Sequence, residues 1–166
     1  MTKLLNFPSE VNDTSARIVA SGAVLMSAGY AITGWAWLLI PLTYGFVARV
    51  LSGPTFSPMA RLATQVITPR LKGPHRIMPG PPKRFAQGIG AIFSAAASVL
   101  FILDLSTASR WVAAALAGPA FLEAAFGFCV GCKMFAGLMK IGVIPESVCV
   151  ECSDISARLR AQGAIQ

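Results

Sequence analysis

The chain has 166 residues, 55% of them hydrophobic and 13% charged, with 14 Lys+Arg against 7 Asp+Glu and a net charge of +7. Soluble domains carry about 25% charged residues, so the charge expected of an ordinary soluble enzyme is roughly halved, and one core in so short a chain cannot hide this much apolar surface. The composition also excludes intrinsic disorder and an acidic solvating tail. The class it predicts is a small integral membrane protein.

A membrane-crossing helix needs about 20 mostly apolar residues, and four segments fit or nearly fit. The first covers residues 16–33, behind the helix-start residues Asn12, Asp13, Thr14 and Ser15 and with Arg17 at its mouth. The second covers 35–50 and carries Pro41 as a kink; only Gly34 separates the two, which predicts a tight helical hairpin. No cleavable signal peptide is expected, since the first apolar run begins late, after Glu10 and Asp13.

A loop over residues 51–84 follows. It holds seven of the eleven prolines (Pro54, Pro58, Pro69, Pro74, Pro79, Pro81 and Pro82), a density that prevents a long helix and predicts a stiff, extended connection. One island in it has helical spacing: Ser57-Pro58 as N-cap and first turn, then Met59, Leu62, Ala63 and Val66 at i, i+3, i+4 and i+7. It predicts a short amphipathic helix in the membrane plane, with the loop either packed on the cytoplasmic end of the bundle or serving as a docking surface for a partner or a lid over the cysteines. His75, the one histidine, sits in this loop and is expected to face solvent.

The third span covers 85–105 and is free of charge until Asp104, an expected interface residue. The fourth covers 111–130 and is apolar apart from Glu123. Its pattern continues through Met134, Leu138 and Met139, which predicts a helix running on past the membrane, bent at Gly118-Pro119.

With four spans, both termini and the long loop share one side. That side holds Lys3, Arg17, Arg49, Arg61, Arg70, Lys72, Arg76, Lys83, Arg84, Lys133, Lys140, Arg158 and Arg160, and the other holds Arg110 alone. By the positive-inside rule both termini are cytoplasmic. Tyr30, Trp35, Trp37 and Trp111 then fall at the outer interface, where amphipathic rings are favoured. The basic charge is thereby explained by topology and anionic headgroups, and no nucleic-acid partner is expected.

All four cysteines fall in one pattern, Cys129-x-x-Cys132, sixteen residues, then Cys149-x-x-Cys152. This is the spacing of two knuckles that together make a four-thiolate site for zinc or iron, with Gly131, Gly142 and Pro145 supplying turns and Lys133 and Lys140 favouring thiolates. A cytoplasmic position disfavours a permanent disulfide. A metal site and a cycling dithiol pair stand as the two chemical readings, with simple helix packing of Cys129 and Cys132 as a third.

Glu123 lies six residues before Cys129. An intramembrane carboxylate costs about 2.5–3.5 kcal/mol on insertion scales, so it is expected to face the bundle interior. Its candidate roles are proton relay, cofactor contact such as a quinone-like headgroup, or a plain hydrogen bond to Ser94 or Ser98. Hydrolytic, nucleotide-binding and dinucleotide motifs are missing from the sequence.

Several stretches together carry a family resemblance: Asn12-Asp13 with Arg17; Ser52-Gly53-Pro54-Thr55-Phe56-Ser57-Pro58 followed by Arg61; Lys83-Arg84-Phe85-Ala86; Gly127-Phe128-Cys129-Val130-Gly131-Cys132-Lys133; and Ile144-Pro145-Glu146 leading to Cys149-x-x-Cys152. Over roughly residues 7–153 the chain resembles the bacterial membrane family catalogued as domain of unknown function 4395. The resemblance implies a four-helix membrane domain similar to DoxX-like bundles, in the bacterial inner membrane. It also implies association with thioredoxin-like or rhodanese-like partners.

The expected architecture is therefore an all-α, four-helix transmembrane bundle over residues 1–142, with a cytoplasmic Pro-rich loop. A Cys-rich knuckle over 129–152 and a tail over 153–166 complete it. The first expected function is a scaffold or accessory subunit of a membrane complex, with Cys129, Cys132, Cys149 and Cys152 holding zinc or iron. Thiol-disulfide redox or sulfur handling by the same cysteines is the alternative, and a small transporter with Glu123 in a polar path is the third. Four short spans offer little internal volume, which fits a homo-oligomer or a subunit of a larger complex.

Overall fold

The computed structural model describes residues 10–53, 55–70, 77–145 and 148. A short antiparallel ribbon comes first: β1 (Glu10–Asn12) pairs with β2 (Ile77–Pro79), Val11 opposite Met78. Each strand runs straight into a long helix, so the ribbon sets the starts of α1 (Asp13–Thr33) and α4 (Gly80–Ile102) side by side.

Local chemistry explains most of the helix ends. Asn12 caps α1, its Oδ1 accepting the Thr14 N–H at 2.9 Å. Gly34 ends it in the left-handed conformation (φ +74°) and donates its N–H to the Tyr30 carbonyl. A 3-10 turn (Ala36–Leu38) leads into α2 (Leu39–Ser52). Pro41 falls in the first turn of α2, where no N–H is needed, and not at a mid-span kink as the sequence suggested. Pro81 and Pro82 likewise sit in the first turn of α4, which begins five residues ahead of the expected boundary at 85.

The helical island is α3 (Pro58–Arg61), capped by Ser57 and continuing through a π-helical turn (Leu62–Ile67) and a 3-10 turn (Thr68–Arg70). It packs on α1: Ala60 and Ala63 bury against Val19, and the Ser15 and Thr68 hydroxyls meet at 2.8 Å in a buried contact. His75 lies outside the described residues.

The fourth apolar segment differs most from expectation. Helix α5 (Ser106–Phe126) passes through Pro119 uninterrupted and stops at Phe126, four residues short of 130. The chain then turns at Gly127 (φ +67°), and α6 (Val130–Lys140) leaves at 98° to α5. The helix continuing straight past the membrane is replaced by a sharp corner, because Gly127 adopts a backbone conformation that closes α5.

Helix α1 packs chiefly on α5, α2 on α4, α4 on α5, and α6 on α4. Contacts at both ends show neighbours running antiparallel: Arg17 reaches Ala124 and Ala125 while Tyr30 reaches Ser109, and Arg49 reaches Gln87 while Thr43 reaches Ser98. Ala23, Tyr30, Leu42, Phe46, Ala97 and Leu116 form the core, where alanines let the backbones approach. The outer faces are apolar too: Leu25, Ile32, Ile40, Ile92, Ile102 and Trp111 are each at least 69% exposed, a surface suited to lipid. Helices α1 and α4 are long and apolar enough to cross a membrane, α5 with α6 passes only as a bent pair, and α2 with its 3-10 turn is shorter.

Candidate functional site

The corner between α5 and α6 builds the site. Cys129 is the N-cap of α6, its Sγ accepting the Cys132 N–H at 3.3 Å. One turn later the Cys132 thiol points back at it, the two Sγ atoms 2.6 Å apart, both cysteines free. The thiol of Cys132 donates to Cys129, and this holds the Cys129 thiol below the ordinary cysteine range; burial and the Glu123 carboxylate oppose the shift, and the Lys83 ammonium assists it. The corner is pinned to α4: Gly131 leaves no room for a side chain beside Ala86, and Phe135 packs on Phe85 with ring centroids 5.6 Å apart.

Buried charges flank the thiols. Lys83, 3% exposed, binds Glu123 Oε1 at 2.5 Å and approaches Asp13 at 3.8 Å. Asp13 Oδ1 is buried with no hydrogen-bond partner among the described residues, so the Lys83 charge is what compensates it. Arg49, 5% exposed, donates from Nε to Gln87 Oε1 at 2.8 Å and lies over the Phe46 ring at 4.6 Å. Arg17 donates to the carbonyls of Ala124 and Ala125, closing the last turn of α5. Two buried cations thus stand against two carboxylates.

A cavity of about 250 Å³ reaches the same place from between the helices. Its wall is mostly apolar, and Arg49, Gln87, Glu123 and Cys129 line its polar end. Phe46 fills the space in which a Cβ on Gly90 would sit, so a larger residue there would displace the wall.

Of the sequence-predicted site residues, the structure brings Cys129, Cys132 and Glu123 into one region. Cys149 and Cys152 lie outside the described residues. Among the described residues no three of His, Cys, Asp and Glu converge as a metal site would need.

Other assignments change. Glu123 pairs with Lys83, whereas Ser94 bonds the Ala91 carbonyl and Ser98 bonds Thr43 and the Ser94 carbonyl. The cation acting on Cys129 is Lys83, while Lys133 lies over Phe128. Tyr30 is not an interface anchor: it is 1% exposed, and its hydroxyl meets Ser109 at 2.6 Å. Trp35, Trp37 and Trp111 are exposed, the first two stacked. Asp104 sits in the exposed turn between α4 and α5 with φ +59°.

Lys83, Arg49, Asp13 and Gln87 were not singled out as site residues from the sequence, where the basic ones served only to orient the chain. A signal was there. Lys83, Gln87, Gly90, Ser94 and Ala97 recur at helical spacing, a polar and small stripe along the inward face of α4.

The chain belongs to the family described as Domain of unknown function (DUF4395), which matches residues 11–140. The match includes Cys129 and Cys132 and ends before Cys149, short of the 7–153 span of the resemblance seen in the sequence. No curated protein and no solved structure matches the chain.

Proposed function

We propose that this is a four-span protein of the bacterial inner membrane, with both termini cytoplasmic, whose Cys129/Cys132 pair cycles between dithiol and disulfide. The carrying observation is the placement of two free sulfurs 2.6 Å apart at the start of α6, beside a buried Lys83–Glu123 pair. Helices α1, α2, α4 and α5 supply the spans, and the basic residues on one side give the orientation. Helix α6, at 98° to α5, then runs along the membrane surface and brings the thiols to the cytoplasmic boundary.

The cycle follows from the two sulfur environments. Cys129 is buried and Cys132 partly exposed, so an incoming partner thiolate attacks Cys132 of the disulfide. Cys129 leaves as the more stable thiolate, since a thiol of lower pKa leaves faster. The second thiol of the partner then attacks the mixed disulfide and releases Cys132. The net change is one disulfide made in the partner and one reduced here. The partner class that suits this step is a soluble dithiol protein of thioredoxin-like type, since the mixed disulfide needs a second partner thiol to resolve it. The Lys83–Glu123 pair gives and takes the protons of the two thiols.

The cysteine spacing favours a second reading, in which Cys149 and Cys152 join Cys129 and Cys132 around one zinc or iron ion in a membrane scaffold or accessory subunit. Metal analysis and thiol counting on the purified protein decide between them. Reversible loss of two thiols in metal-free protein supports the redox cycle. Near-stoichiometric metal that is lost on changing any one of the four cysteines to serine would replace it with the metal site. Transport through Glu123 carries less weight, because Lys83 already neutralises that carboxylate.

A further inference from the structure

The cavity beside the thiols has a shape and a charge balance that point to one class of ligand. Its volume of about 250 Å³ lies just under the ~300–1,000 Å³ of pockets for drug-sized molecules, enough for a ring headgroup and too small for a nucleotide. The exposed members of its wall are Phe93 on α4, Ala115 and Pro119 on α5, and Met134 on α6, all apolar. Phe93 and Ala115 fall near the middle of their helices, so the mouth opens at the depth of the hydrocarbon. A ligand entering there comes from the lipid phase.

The inner end selects for a neutral molecule with hydrogen-bond acceptors. The buried positive charges of Arg49 and Lys83 are balanced by Glu123 and by Asp13 at 3.8 Å from Lys83, so an added anion gains no net attraction. Arg49, nine-tenths buried, offers N–H donors at the cavity wall, with Gln87 fixing its guanidinium. Cys129 lines the same end, with Cys132 in contact behind it.

Resting on the dithiol cycle proposed above, we infer that the cavity binds a membrane quinone and that the Cys129/Cys132 dithiol reduces it to the quinol. In this step the S–S bond forms and both S–H bonds break. The two sulfurs lose two electrons and two protons, and the two carbonyl oxygens of the quinone gain them as hydroxyls. Arg49 donates a hydrogen bond to one carbonyl oxygen, and Glu123 with Lys83 carries protons released by the thiols. The protein then passes electrons from a soluble dithiol partner to the membrane pool.

The test uses the whole protein in lipid nanodiscs, reduced, freed of reductant and kept anaerobic. Duroquinone is the probe, since its fully substituted ring blocks addition of thiols. Quinol is expected at one equivalent per protein, with a Cys129–Cys132 disulfide in the peptide masses. Ala115→Trp and Met134→Trp, both at exposed rim positions, are expected to slow this reaction at least tenfold. Both should leave re-reduction of the oxidised protein by dithiothreitol unchanged. If dithiothreitol reduces the disulfide but duroquinone never forms it, the quinone assignment is overturned and the dithiol cycle stands. If no Cys129–Cys132 disulfide forms with any oxidant, both fall. Equal quinone rates in the rim variants and the parent would overturn the cavity as the site.

Discussion

Helices α1 and α5 are 21 residues each, antiparallel, and each carries an arginine at its fifth position that closes the other's last turn. Arg17 donates to Ala124 and Ala125 of α5, and Arg110 donates to Ala31 and Ile32 of α1. Each helix then stops at a left-handed glycine, Gly34 at one end and Gly127 at the other. Inside that shared frame the ends differ. At the first, Tyr30, Ser109 and the Ala97 carbonyl form a closed chain of neutral hydrogen bonds, each 2.6 Å. At the second, Lys83, Glu123, Asp13 and Arg49 bury charge beside two free thiols and a cavity. One end is satisfied and apolar enough to need no ligand. Buried charge is a poor stabiliser compared with well-packed apolar residues, and its concentration at the thiol end is what the proposed dithiol chemistry would account for.

The largest test of this contrast is Glu123→Gln. It leaves Lys83 buried with Asp13 as its remaining carboxylate, and the loss of one partner of a buried pair costs roughly 3–5 kcal/mol. Thermal unfolding in nanodiscs should show it as a large drop in midpoint. The triple variant Asp13→Asn with Lys83→Met and Glu123→Leu, which leaves no carboxylate stranded beside the lost ammonium, should recover most of that loss while the thiol reactions stay slow. Recovery of both stability and thiol rate would mean that the pair has no part in the chemistry.

Ser109→Ala probes the other end. It strips the Tyr30 hydroxyl of its partner in a buried site, at a cost of about 1–3 kcal/mol. The reactivity of Cys129 and Cys132 should not change; a changed alkylation rate would mean that the two ends are coupled. Arg17→Ala and Arg110→Ala are smaller and form a matched pair, each removing a cation from a helix C-terminus for up to about 1 kcal/mol. Only Arg17→Ala should alter thiol reactivity, because Arg17 holds the turn that leads into Gly127 and Cys129.

The smallest effect is a shift in pH profile. Since hydrogen bonding from Cys132 and the charge of Lys83 hold the Cys129 thiol below the ordinary cysteine range, its alkylation rate should reach half-maximum below the ordinary thiol value of about 8.5. Lys83→Met should move that midpoint upward.

Much of this architecture was legible in the sequence. The apolar segments, the break at Gly34 and the Ser57-Pro58 start are local signals, and the structure places helix ends or starts at each, although α1 packs chiefly on α5 and α2 on α4 in place of the tight hairpin expected between them. The corner at Gly127 was not legible, because apolar spacing continues through Met134 and Leu138 whether or not the helix turns. Lys83 and Arg49 were hidden for a different reason. In a linear reading a basic residue near a span end is a topology marker, and only packing against α5 and α4 shows it buried and paired. The ribbon of β1 with β2 joins segments 67 residues apart (Val11 to Met78), a distance no local pattern reports.

The most direct measurement is a redox titration of the nanodisc protein, with Cys129 and Cys132 scored by differential alkylation and peptide mass. A cycling dithiol predicts that both thiols disappear together in one two-electron step and return fully on reduction. Thiols that stay reduced across the whole range of buffers, or that are shielded by one bound metal ion per chain, would contradict it.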